Sequence, residues 1–384
     1  MGTIQDSRRV GIFRIQGFKP SETFIVNQAR HLRRWRSLYL SYRRFGPPPA
    51  DIETVDLGDD RIDLVRSGAL NDPAPMRRRI GERTPDLIHA HFAVDAVYAL
   101  PLARALRRPL VVTLHGFDVT TRDSAFLKSG KLPLIRAVLG RRALQRSAER
   151  FVAVSDYIRK RAVEAGYPEA RMVSLPVGVE IPSADSVRTG ANPTRVLHIG
   201  RLVEKKGTAQ LIEAMARAPR ALGLKLVIAG DGPLRPILEQ KVAALGLGES
   251  VEFRGFMPHA ETLELLAGSA ALAVPSVTAR SGDMEGLPTV VMEAAARGVP
   301  VVGYGSSGIA EAVLHDETGL LSPEGDIDGL ARHLAAIVSE PELARKLGAG
   351  ARKLAEQRYD IARQTAALET LYDEVYADFM NREN

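Results

Sequence analysis

Cysteine is absent from the 384 residues of this chain, which excludes disulfide bridges and thiolate metal ligands and fits a reducing compartment. The first nine residues lack the apolar core of a signal peptide, and no stretch is long and apolar enough to span a bilayer. Aromatic residues are also scarce, with a single tryptophan. We therefore expect a cytoplasmic protein.

The length and patterning of the chain indicate two α/β domains. A chain of 384 residues with 45% hydrophobic and 26% charged residues is globular and too long for one ordinary core. Short apolar strands alternate with helical segments such as 95–106 and 156–165, which predicts parallel sheets. A polar linker is expected at 181–193, and a continuous helix from about residue 357 onwards. The predicted strands are 9–14, 38–40, 86–92, 110–115, 151–155, 195–199, 224–229, 251–253, 271–274 and 299–303.

Positive charge is concentrated in the first half of the chain. Residues 1–180 contain 31 Lys and Arg against 19 Asp and Glu, a net charge of +12, whereas the remainder has a net charge of −6. The densest part is 28–36, followed by Arg43 and Arg44, with apolar residues interleaved at helical spacing, namely Leu32, Trp35, Leu38 and Tyr39. Such a helix can lie on an anionic membrane, or its apolar residues can pack into the core while the arginines are solvated. No nucleic-acid-binding motif accompanies the arginines, so we expect no nucleic-acid partner.

Two carboxylates eight positions apart, Glu285 and Glu293, flank the start of a predicted helix. Backbone N–H groups of residues 286–290 lie at that helix N-terminus, where a phosphate binds well. One segment could thus hold a phosphate between two carboxylates that bind hydroxyl groups, which suits a nucleotide sugar. The alternative is that both are ordinary surface charges on an alanine-rich helix.

Two further loops follow predicted strands and precede predicted helices. They are Gly200–Gly207 and Ala229–Arg235, and open α/β sheets bind ligands at this position. Together with 254–256 and the two carboxylates, they closely resemble the retaining family-4 glycosyltransferases of the GT-B fold, over nearly the whole chain. The runs 19–25 and 282–286 resemble a bacterial exopolysaccharide subgroup of the colanic-acid type.

The resemblance implies a GT-B fold, in which two Rossmann-like, doubly wound parallel-sheet domains face a cleft. It implies an acceptor-binding domain at 1–185 and a nucleotide-sugar-binding domain at 194–360. A terminal helix at 361–384 is expected to cross back onto the first domain.

The resemblance also assigns roles to individual residues. Arg201 and Lys206 would contact the diphosphate, where positive charge stabilises the departing phosphate. Glu285 would hold sugar hydroxyls, Glu293 would hold the ribose hydroxyls, and 254–256 would meet the base mostly through its backbone. His115 would lie against the donor hexose near the reacting carbon. Asp118 would orient His115 or touch the acceptor. The expected nucleotide-sugar-binding residues are Gly17, Gly200, Arg254, Phe256, Gly286, Leu287, Pro288, Thr289 and Glu293.

The glycine loop of the first domain departs from the family pattern. Gly17 lies in the loop that would close on the donor phosphate, and the more usual pair of glycines is reduced to this one residue. Ser21, shortly after it, is a suitable N-cap for the next helix.

No metal is expected, because cations and a helix N-terminus can neutralise the diphosphate. His89 and His91 project to the same face of their strand, which raises a zinc hypothesis. Two histidines without a third ligand in reach are more often buried packing residues.

The sequence therefore predicts a metal-independent retaining hexosyltransferase that uses a UDP-hexose or UDP-HexNAc by front-face attack. We expect it to build an exopolysaccharide precursor in the cytoplasm, with peripheral contact to the anionic inner membrane face through its basic first half. One alternative is transfer to a small secondary-metabolite acceptor such as an aminocyclitol. An alternative of another class is a non-catalytic protein that binds a sugar nucleotide or a nucleic acid.

Overall fold

The computed structural model describes residues 8–183 and 192–383, which divide into two compact units. Unit 1 comprises Met1–Gly178 with Ile361–Asn384, and unit 2 comprises Val179–Asp360. Most of the predicted linker at 181–193 falls on residues 184–191, which lie outside the described part.

Strands and helices alternate along unit 1. In its described residues the strands are β1 (Arg9–Gly17), β2 (Arg36–Arg44), β3 (Thr54–Asp56), β4 (Leu87–His91), β5 (Leu110–Leu114), β6 (Arg150–Ala153) and β7 (Met172–Ser174). The helices before unit 2 are α1 (Thr23–His31), α2 (Arg61–Ala69), α3 (Ala74–Ile80), α4 (Ala93–Leu106), α5 (Phe117–Thr120), α6 (Asp123–Lys128), α7 (Leu132–Ser147) and α8 (Asp156–Glu164).

All pairs in this sheet are parallel, in the order β3-β2-β1-β4-β5-β6-β7. Every residue of β4 and β5 is buried, as expected for central strands covered by helices on both faces. The strand order reverses between β1 and β4. In an open α/β sheet, ligands bind outside the carboxyl ends of the strands at this switch point.

Unit 2 repeats the same topology. Its described strands are β8 (Asn192–Ile199), β9 (Lys225–Ala229), β10 (Val251–Gly255), β11 (Ser269–Val274), β12 (Val301–Tyr304) and β13 (Gly319–Ser322). Its helices are α9 (Thr208–Arg217), α10 (Arg235–Ala244), α11 (His259–Ala267), α12 (Thr289–Ala296), α13 (Ile309–Ala312), α14 (Ile327–Ser339) and α15 (Pro341–Arg358). The parallel order is β10-β9-β8-β11-β12-β13, so the switch point lies between β8 and β11.

The ten predicted strands are all present with shifted bounds, whereas β3, β7 and β13 were missed. These three strands have only three or four residues each. A segment this short shows too little periodicity to be told from a loop, and its pairing depends on the neighbouring strand.

The helical interpretation of the Arg-rich segment holds only as far as His31, and beyond it the strand predicted at 38–40 is confirmed. Helix α1 ends at His31, and β2 begins at Arg36, so Leu38 and Tyr39 lie on a strand. Pairing of β2 along β1, with Arg36 opposite Arg9, overrides the local helical pattern. Trp35 is 3% exposed and packs in the core of unit 1. Of the two alternatives for this residue, membrane contact and packing into the core, the structure shows the second.

Two further local predictions are corrected. Ser21 does not cap α1; it lies inside a 3-10 turn at Pro20–Glu22, and Glu22 occupies the cap position. The terminal helix is not continuous from residue 357, because α15 ends at Arg358 and a new helix, α16 (Ile361–Glu383), follows. Tyr359, at this break, is buried and donates a hydrogen bond from its hydroxyl to the Glu311 carbonyl at 3.2 Å.

Helix α16 completes the core of unit 1. Leu368, Leu371, Tyr372 and Val375 pack in one cluster with Trp35 and apolar residues of the central strands. The chain thus leaves unit 1, forms unit 2, and returns to unit 1 with this helix.

A buried carboxylate fixes α16 to the segment before β2. Oε1 of Glu369 accepts hydrogen bonds from the backbone N–H groups of Arg33 (2.7 Å), Arg34 (2.6 Å) and Trp35 (3.0 Å). One residue therefore satisfies three backbone donors that the helix-to-strand turn leaves without a regular partner.

We expect Glu369→Ala to destabilise unit 1 by roughly 3 kcal/mol, because it leaves buried N–H donors unsatisfied. Glu369→Gln, which keeps an acceptor oxygen, should cost clearly less. Urea unfolding followed by Trp35 fluorescence measures both, since this single tryptophan lies in unit 1. Glu374→Ala, at an exposed position of the same helix, is the control. Equal midpoints for Glu369→Ala and this control would contradict the assignment.

Candidate active site

The loops after β8 and β11 are joined by two ion pairs at the switch point of unit 2. Nζ of Lys205 lies 3.1 Å from Oδ1 of Asp283, and Nζ of Lys206 lies 2.9 Å from Oε1 of Glu285. The Val277 backbone N–H also donates to the Lys205 carbonyl at 2.8 Å. The loop Gly200–Gly207 and the segment that contains Glu285, which the sequence analysis identified separately, are therefore in direct contact. We call this group of four charged residues the lysine–carboxylate cluster.

The cluster is largely shielded from water, which sets the charge states of its carboxylates. The side chains of Lys206 and Glu285 are only 15% and 10% exposed. Burial alone would raise the pKa of Glu285, but the ammonium groups of Lys206 and Lys205 outweigh it and hold that pKa below its usual value. For Asp283 burial prevails over the attraction of Lys205, and its pKa is raised.

The end of β8 shapes the space that Lys206 occupies. Gly200 follows the strand directly with φ +153°, and a Cβ there would lie 2.9 Å from Cε of Lys206. His198, two residues before Gly200 on the same strand, is buried. Its Nδ1 lies 2.9 Å from the Ala273 carbonyl oxygen, and its Nε2 lies 3.0 Å from Oγ1 of Thr208. Burial lowers the pKa of His198 to about 4. This neutral ring joins β8 to β11 beneath the cluster.

The second predicted carboxylate lies on the helix that follows the cluster. Residues 286–288 are buried, and Thr289 is the first residue of α12. The first N–H groups of a helix have no partner within it and attract an anion. Glu293 lies in the second turn, where its Oε1 accepts a hydrogen bond from Nε2 of His259 at 2.8 Å. His259 was missed, because nothing in the sequence links it to a residue 34 positions away.

Three predicted site residues lie apart from the lysine–carboxylate cluster. Arg201 directly follows Gly200 and is exposed. Arg254 pairs with Glu252 at 2.5 Å on β10, the strand at the edge of the described sheet. Phe256 has an exposed ring, at 67%. Among the described residues, no ion pair joins Arg201 or Arg254 to the carboxylates of the cluster.

In unit 1, His115 is held by a set of rings at the end of β5. Its Nε2 lies 3.1 Å from Nδ1 of His91, and its ring lies 4.3 Å from that of Phe92 and 5.0 Å from that of Phe24. Phe92 has a φ of 70°, an unusual left-handed conformation for a bulky residue. Burial lowers the pKa of both histidines well below the usual value, so both rings are neutral at pH 7.

His89 is a packing residue with both nitrogens satisfied. Its Nδ1 pairs with the Tyr372 hydroxyl at 2.6 Å and its Nε2 with Oγ1 of Thr113 at 2.7 Å. Burial lowers its pKa to about 3. Within residues 8–183 and 192–383, no group of three or more His, Asp or Glu is arranged to hold a metal ion.

Asp118 orients His115 through the backbone. Its Oδ1 accepts from the N–H groups of His115 (3.1 Å) and Gly116 (3.0 Å), and its Oδ2 accepts from that of Ala93 at 2.8 Å. Burial raises the pKa of Asp118, although these donors oppose the rise. The carboxyl group therefore fixes the loop that presents the histidine.

An arginine network beside His115 was missed. Arg14, buried within β1, donates from Nη1 to the His91 carbonyl at 2.7 Å, and its Nη2 donates to both carboxylate oxygens of Glu22 at 2.8 and 2.7 Å. Nη1 also lies 2.6 Å from Oδ2 of Asp95. The sequence did contain one sign of this network, because Arg14 is a charged residue inside the otherwise apolar run Val10–Ile15. Both Glu22 and Phe24 belong to the exopolysaccharide-type run at 19–25, so that run supports the histidine loop.

Gly17 lies at the end of β1 and not in a loop. It pairs in register with Arg44, and a Cβ there would lie 2.9 Å from Cε1 of Tyr39. The glycine thus permits close packing of the Tyr39 ring, and the loop begins only at Phe18.

Family models match both units. The model for glycosyl transferases group 1 matches residues 184–354, and that for glycosyltransferase family 4 matches residues 21–181. A GDP-mannose-dependent alpha-(1-6)-phosphatidylinositol monomannoside mannosyltransferase of Mycolicibacterium smegmatis is 33% identical over 293 residues, covering 72% of this chain and 73% of that protein. The chain belongs to the family-4 glycosyltransferases. The resemblance inferred from the sequence is thereby confirmed.

The exopolysaccharide resemblance of this glycosyltransferase is also confirmed. WcaL of Escherichia coli, named for colanic acid biosynthesis, is 32% identical over 256 residues, or 65% of this chain. The amylovoran biosynthesis glycosyltransferase AmsK of Erwinia amylovora is 32% identical over 248 residues, or 64% of this chain. The chain spans 61% of the length of WcaL and 59% of that of AmsK.

Solved structures show that the glycosyltransferase has the predicted GT-B fold. HepE of Anabaena, solved with UDP and glucose, superposes with a TM-score of 0.74 at 21% identity, covering 95% of this chain and all of that one. Sucrose-phosphate synthase of Thermosynechococcus elongatus gives a TM-score of 0.78 at 19% identity, covering 97% of this chain and all of that one.

The charge state of Glu285 predicts a pH-dependent stability. Because its folded pKa is lowered, the pair with Lys206 stabilises the protein above the unfolded pKa, and this contribution is lost as the pH falls through the folded pKa. Lys206→Met leaves the buried carboxylate without its nearest partner and should cost about 3 kcal/mol at pH 7. At acidic pH the difference from wild type should shrink, because Glu285 in the variant has lost the ammonium group that lowers its pKa and takes up a proton.

Urea unfolding followed by circular dichroism at the two pH values measures this difference. Lys346→Met removes the same charge at an exposed position, and its free energy of unfolding should differ from wild type equally at both pH values. If Lys206→Met lowered the free energy of unfolding equally at both pH values, the proposed ionisation of Glu285 would be contradicted.

Proposed function

We propose that this glycosyltransferase transfers a hexose with retention from a nucleoside diphosphate sugar, a UDP-hexose or UDP-HexNAc, to a hydroxyl of an exopolysaccharide precursor. In this proposal the second unit binds the nucleotide sugar and the first binds the acceptor. The reaction proceeds by front-face attack and requires no metal.

The lysine–carboxylate cluster is the observation that supports the proposal most strongly. It places an ammonium group and a charged carboxylate 2.9 Å apart, at the carboxyl ends of β8 and β11, where the topology predicts a ligand. A diphosphate needs the ammonium, and sugar hydroxyls need the carboxylate. The ammonium group of Lys205, 3.1 Å from Oδ1 of Asp283, adds its positive field to the same place.

The chemistry follows from charge development at the leaving group. The bond between the anomeric carbon and the β-phosphate oxygen breaks, and its electron pair stays on the phosphate. The acceptor oxygen bonds to the anomeric carbon on the same face, and its proton passes to the departing phosphate oxygen. Lys206, Arg201 and the N-terminus of α12 stabilise the negative charge as it grows, while Glu285 holds the hydroxyls of the positively charged sugar.

Neutral His115 fits a role in binding rather than in proton supply. Its pKa is lowered well below the usual value, so at pH 7 it carries no extra proton to donate. We assign it a hydrogen bond to the hexose near the reacting carbon, with the ring fixed by His91, Phe92 and Asp118. The proton transfer to the leaving phosphate needs no base from the protein.

The relatives favour two donors, and a release assay separates them. HepE was solved with UDP and glucose, whereas the mycobacterial relative is named as GDP-mannose-dependent. Release of UDP from UDP-glucose or UDP-GlcNAc, compared with release of GDP from GDP-mannose, tests the proposed donor. Adding lipid-linked glycans or aminocyclitols tests the acceptor class, and binding without release would support the non-catalytic alternative.

We also propose peripheral contact of unit 1 with an anionic membrane, at a different surface from the Arg-rich segment. In that segment Trp35 is buried, and Arg30 and Arg34 pair with Asp51 and Asp373 at 2.7 and 3.0 Å. No helix in the part of the chain that the structure describes is long and apolar enough to cross a bilayer.

Helix α2 is turned with its polar side inward. It buries Asp63 and Ser67 and exposes Ile62 (72%) and Val65 (59%). Helix α7 contains four arginines and no acidic residue, and Arg136 donates to the carbonyls of residues 68 and 69 at the end of α2. We call this surface the α2–α7 face. Exposed aliphatic side chains beside arginines suit an anionic lipid surface.

We expect the two predicted carboxylates to differ in function. Glu285→Gln should bind UDP almost normally but lower turnover by roughly a hundredfold, because its bonds to the hexose strengthen in the transition state. Glu293, which we propose binds the ribose hydroxyls, acts on the nucleotide, so Glu293→Gln should weaken UDP binding itself by about tenfold through the loss of a hydrogen bond to a charged group. Calorimetry with UDP and turnover measurements test both, with exposed Glu317→Gln as the control. Unchanged turnover in folded Glu285→Gln would remove the central assignment.

We expect the full chain to co-sediment with vesicles containing phosphatidylglycerol but not with pure phosphatidylcholine vesicles. The double variant Ile62→Ser/Val65→Ser should weaken this binding by roughly tenfold, since two aliphatic side chains no longer enter the lipid interface. Ile237→Ser, at a position that is 62% exposed in unit 2, is the matched control. Equal binding by both variants would show that the α2–α7 face is not the membrane contact.

A further inference from the structure

His259 contacts one oxygen of the carboxylate that the proposed function assigns to the ribose. It is the first residue of α11, and its Nε2 lies 2.8 Å from Oε1 of Glu293 in the second turn of α12. A carboxylate only accepts hydrogen bonds, so Nε2 must carry the donated proton. The tautomer of the neutral ring is therefore fixed, and Oε2 of Glu293 is left for a second donor.

Three charged residues near His259 act on the pKa of its ring: Glu293, Arg297 and Glu180. Arg297, one turn after Glu293, donates to the Glu293 carbonyl at 3.2 Å, and Glu180 acts on His259 from the chain before β8. The hydrogen bond to Glu293 raises the pKa of His259, Arg297 opposes the rise and Glu180 supports it. The ring thus keeps a donor toward Glu293 whether it is neutral or protonated.

The position of His259 in the chain links two parts of a nucleotide site. It follows Phe256 by three residues, and the segment 254–256 is the one expected to meet the base. Glu293 is mostly buried, so its carboxylate has few alternative orientations once one oxygen is bound. The same short segment can therefore contact the base and set the direction of the carboxylate.

We propose that His259 is a positioning residue for nucleotide recognition, which holds Glu293 by Oε1 and directs Oε2 toward the ribose hydroxyls. The inference rests on the proposed function, in which Glu293 binds the ribose. His259 itself does not touch the ligand. Its effect is on nucleotide affinity and the KM for the donor, while kcat at saturating donor stays close to wild type, because the ribose is remote from the reacting carbon.

The test compares UDP with 2′,3′-dideoxy-UDP, which lacks the two hydroxyls that Glu293 would bind. Calorimetry gives the Kd of both ligands for wild type, His259→Leu, His259→Gln and Glu293→Gln. Wild type should bind UDP at least tenfold more tightly than the dideoxy ligand, as expected for hydrogen bonds to a charged group. His259→Leu should lose most of this preference by weakening UDP alone, and His259→Gln, whose amide N–H can replace Nε2, should restore it.

Each outcome separates the inference from the function on which it depends. Equal weakening of both ligands by His259→Leu would mean a merely structural role and overturn the inference. If His259→Leu kept the full preference for UDP while Glu293→Gln lost it, the inference would also be overturned, but the assignment of Glu293 to the ribose would remain. A full preference in Glu293→Gln would remove the ribose assignment itself, and the inference with it. GDP and 2′,3′-dideoxy-GDP replace the uridine pair if the donor assay selects GDP-mannose.

Discussion

Two consecutive lysines opposite two carboxylates hold together the part of unit 2 on which the proposed chemistry depends. Parallel strands bring the ends of β8 and β11 side by side, and a backbone hydrogen bond from Val277 to Lys205 joins the loops that follow them. The pairs Lys205–Asp283 and Lys206–Glu285 add to that link and concentrate charge in a place that is largely shielded from water. Because burial raises the free energy of an unpaired charge, removing one partner of a pair leaves the other as an uncompensated buried charge. Stability of the loops and readiness for an anionic ligand therefore depend on the same contacts.

The architecture was predictable from the sequence because parallel sheets leave a strong local signal. Their central strands are buried on both faces, as in Leu87–His91 and Leu110–Leu114. Strands of three or four residues at the edges carry no such signal. The segment around Trp35 misled the prediction in another way. Its apolar residues have helical spacing in the sequence, but the pairing of β2 with β1 determines the structure after Trp35.

The candidate site was predictable where its residues belong to one continuous motif. Lys206, Glu285 and Glu293 each lie in such a run, and the structure adds which lysine meets which carboxylate. Residues that act across long stretches of chain could not be found this way. Arg14 reaches His91 and His259 reaches Glu293, and each contact exists only after the sheet has formed. Sequence thus indicates the residues of one motif better than it indicates the distant residues that hold them in place.

The return of α16 to unit 1 has a consequence for the order of folding on the ribosome. Unit 2 is synthesised completely before Leu368, Tyr372 and Val375 emerge, although these residues line the same core as Trp35. Until then the nascent chain exposes an apolar surface and lacks the carboxylate of Glu369 for the turn before β2. Unit 2 can fold from one uninterrupted stretch, whereas unit 1 must wait for its last helix, so the earlier half of the chain is the later one to become native.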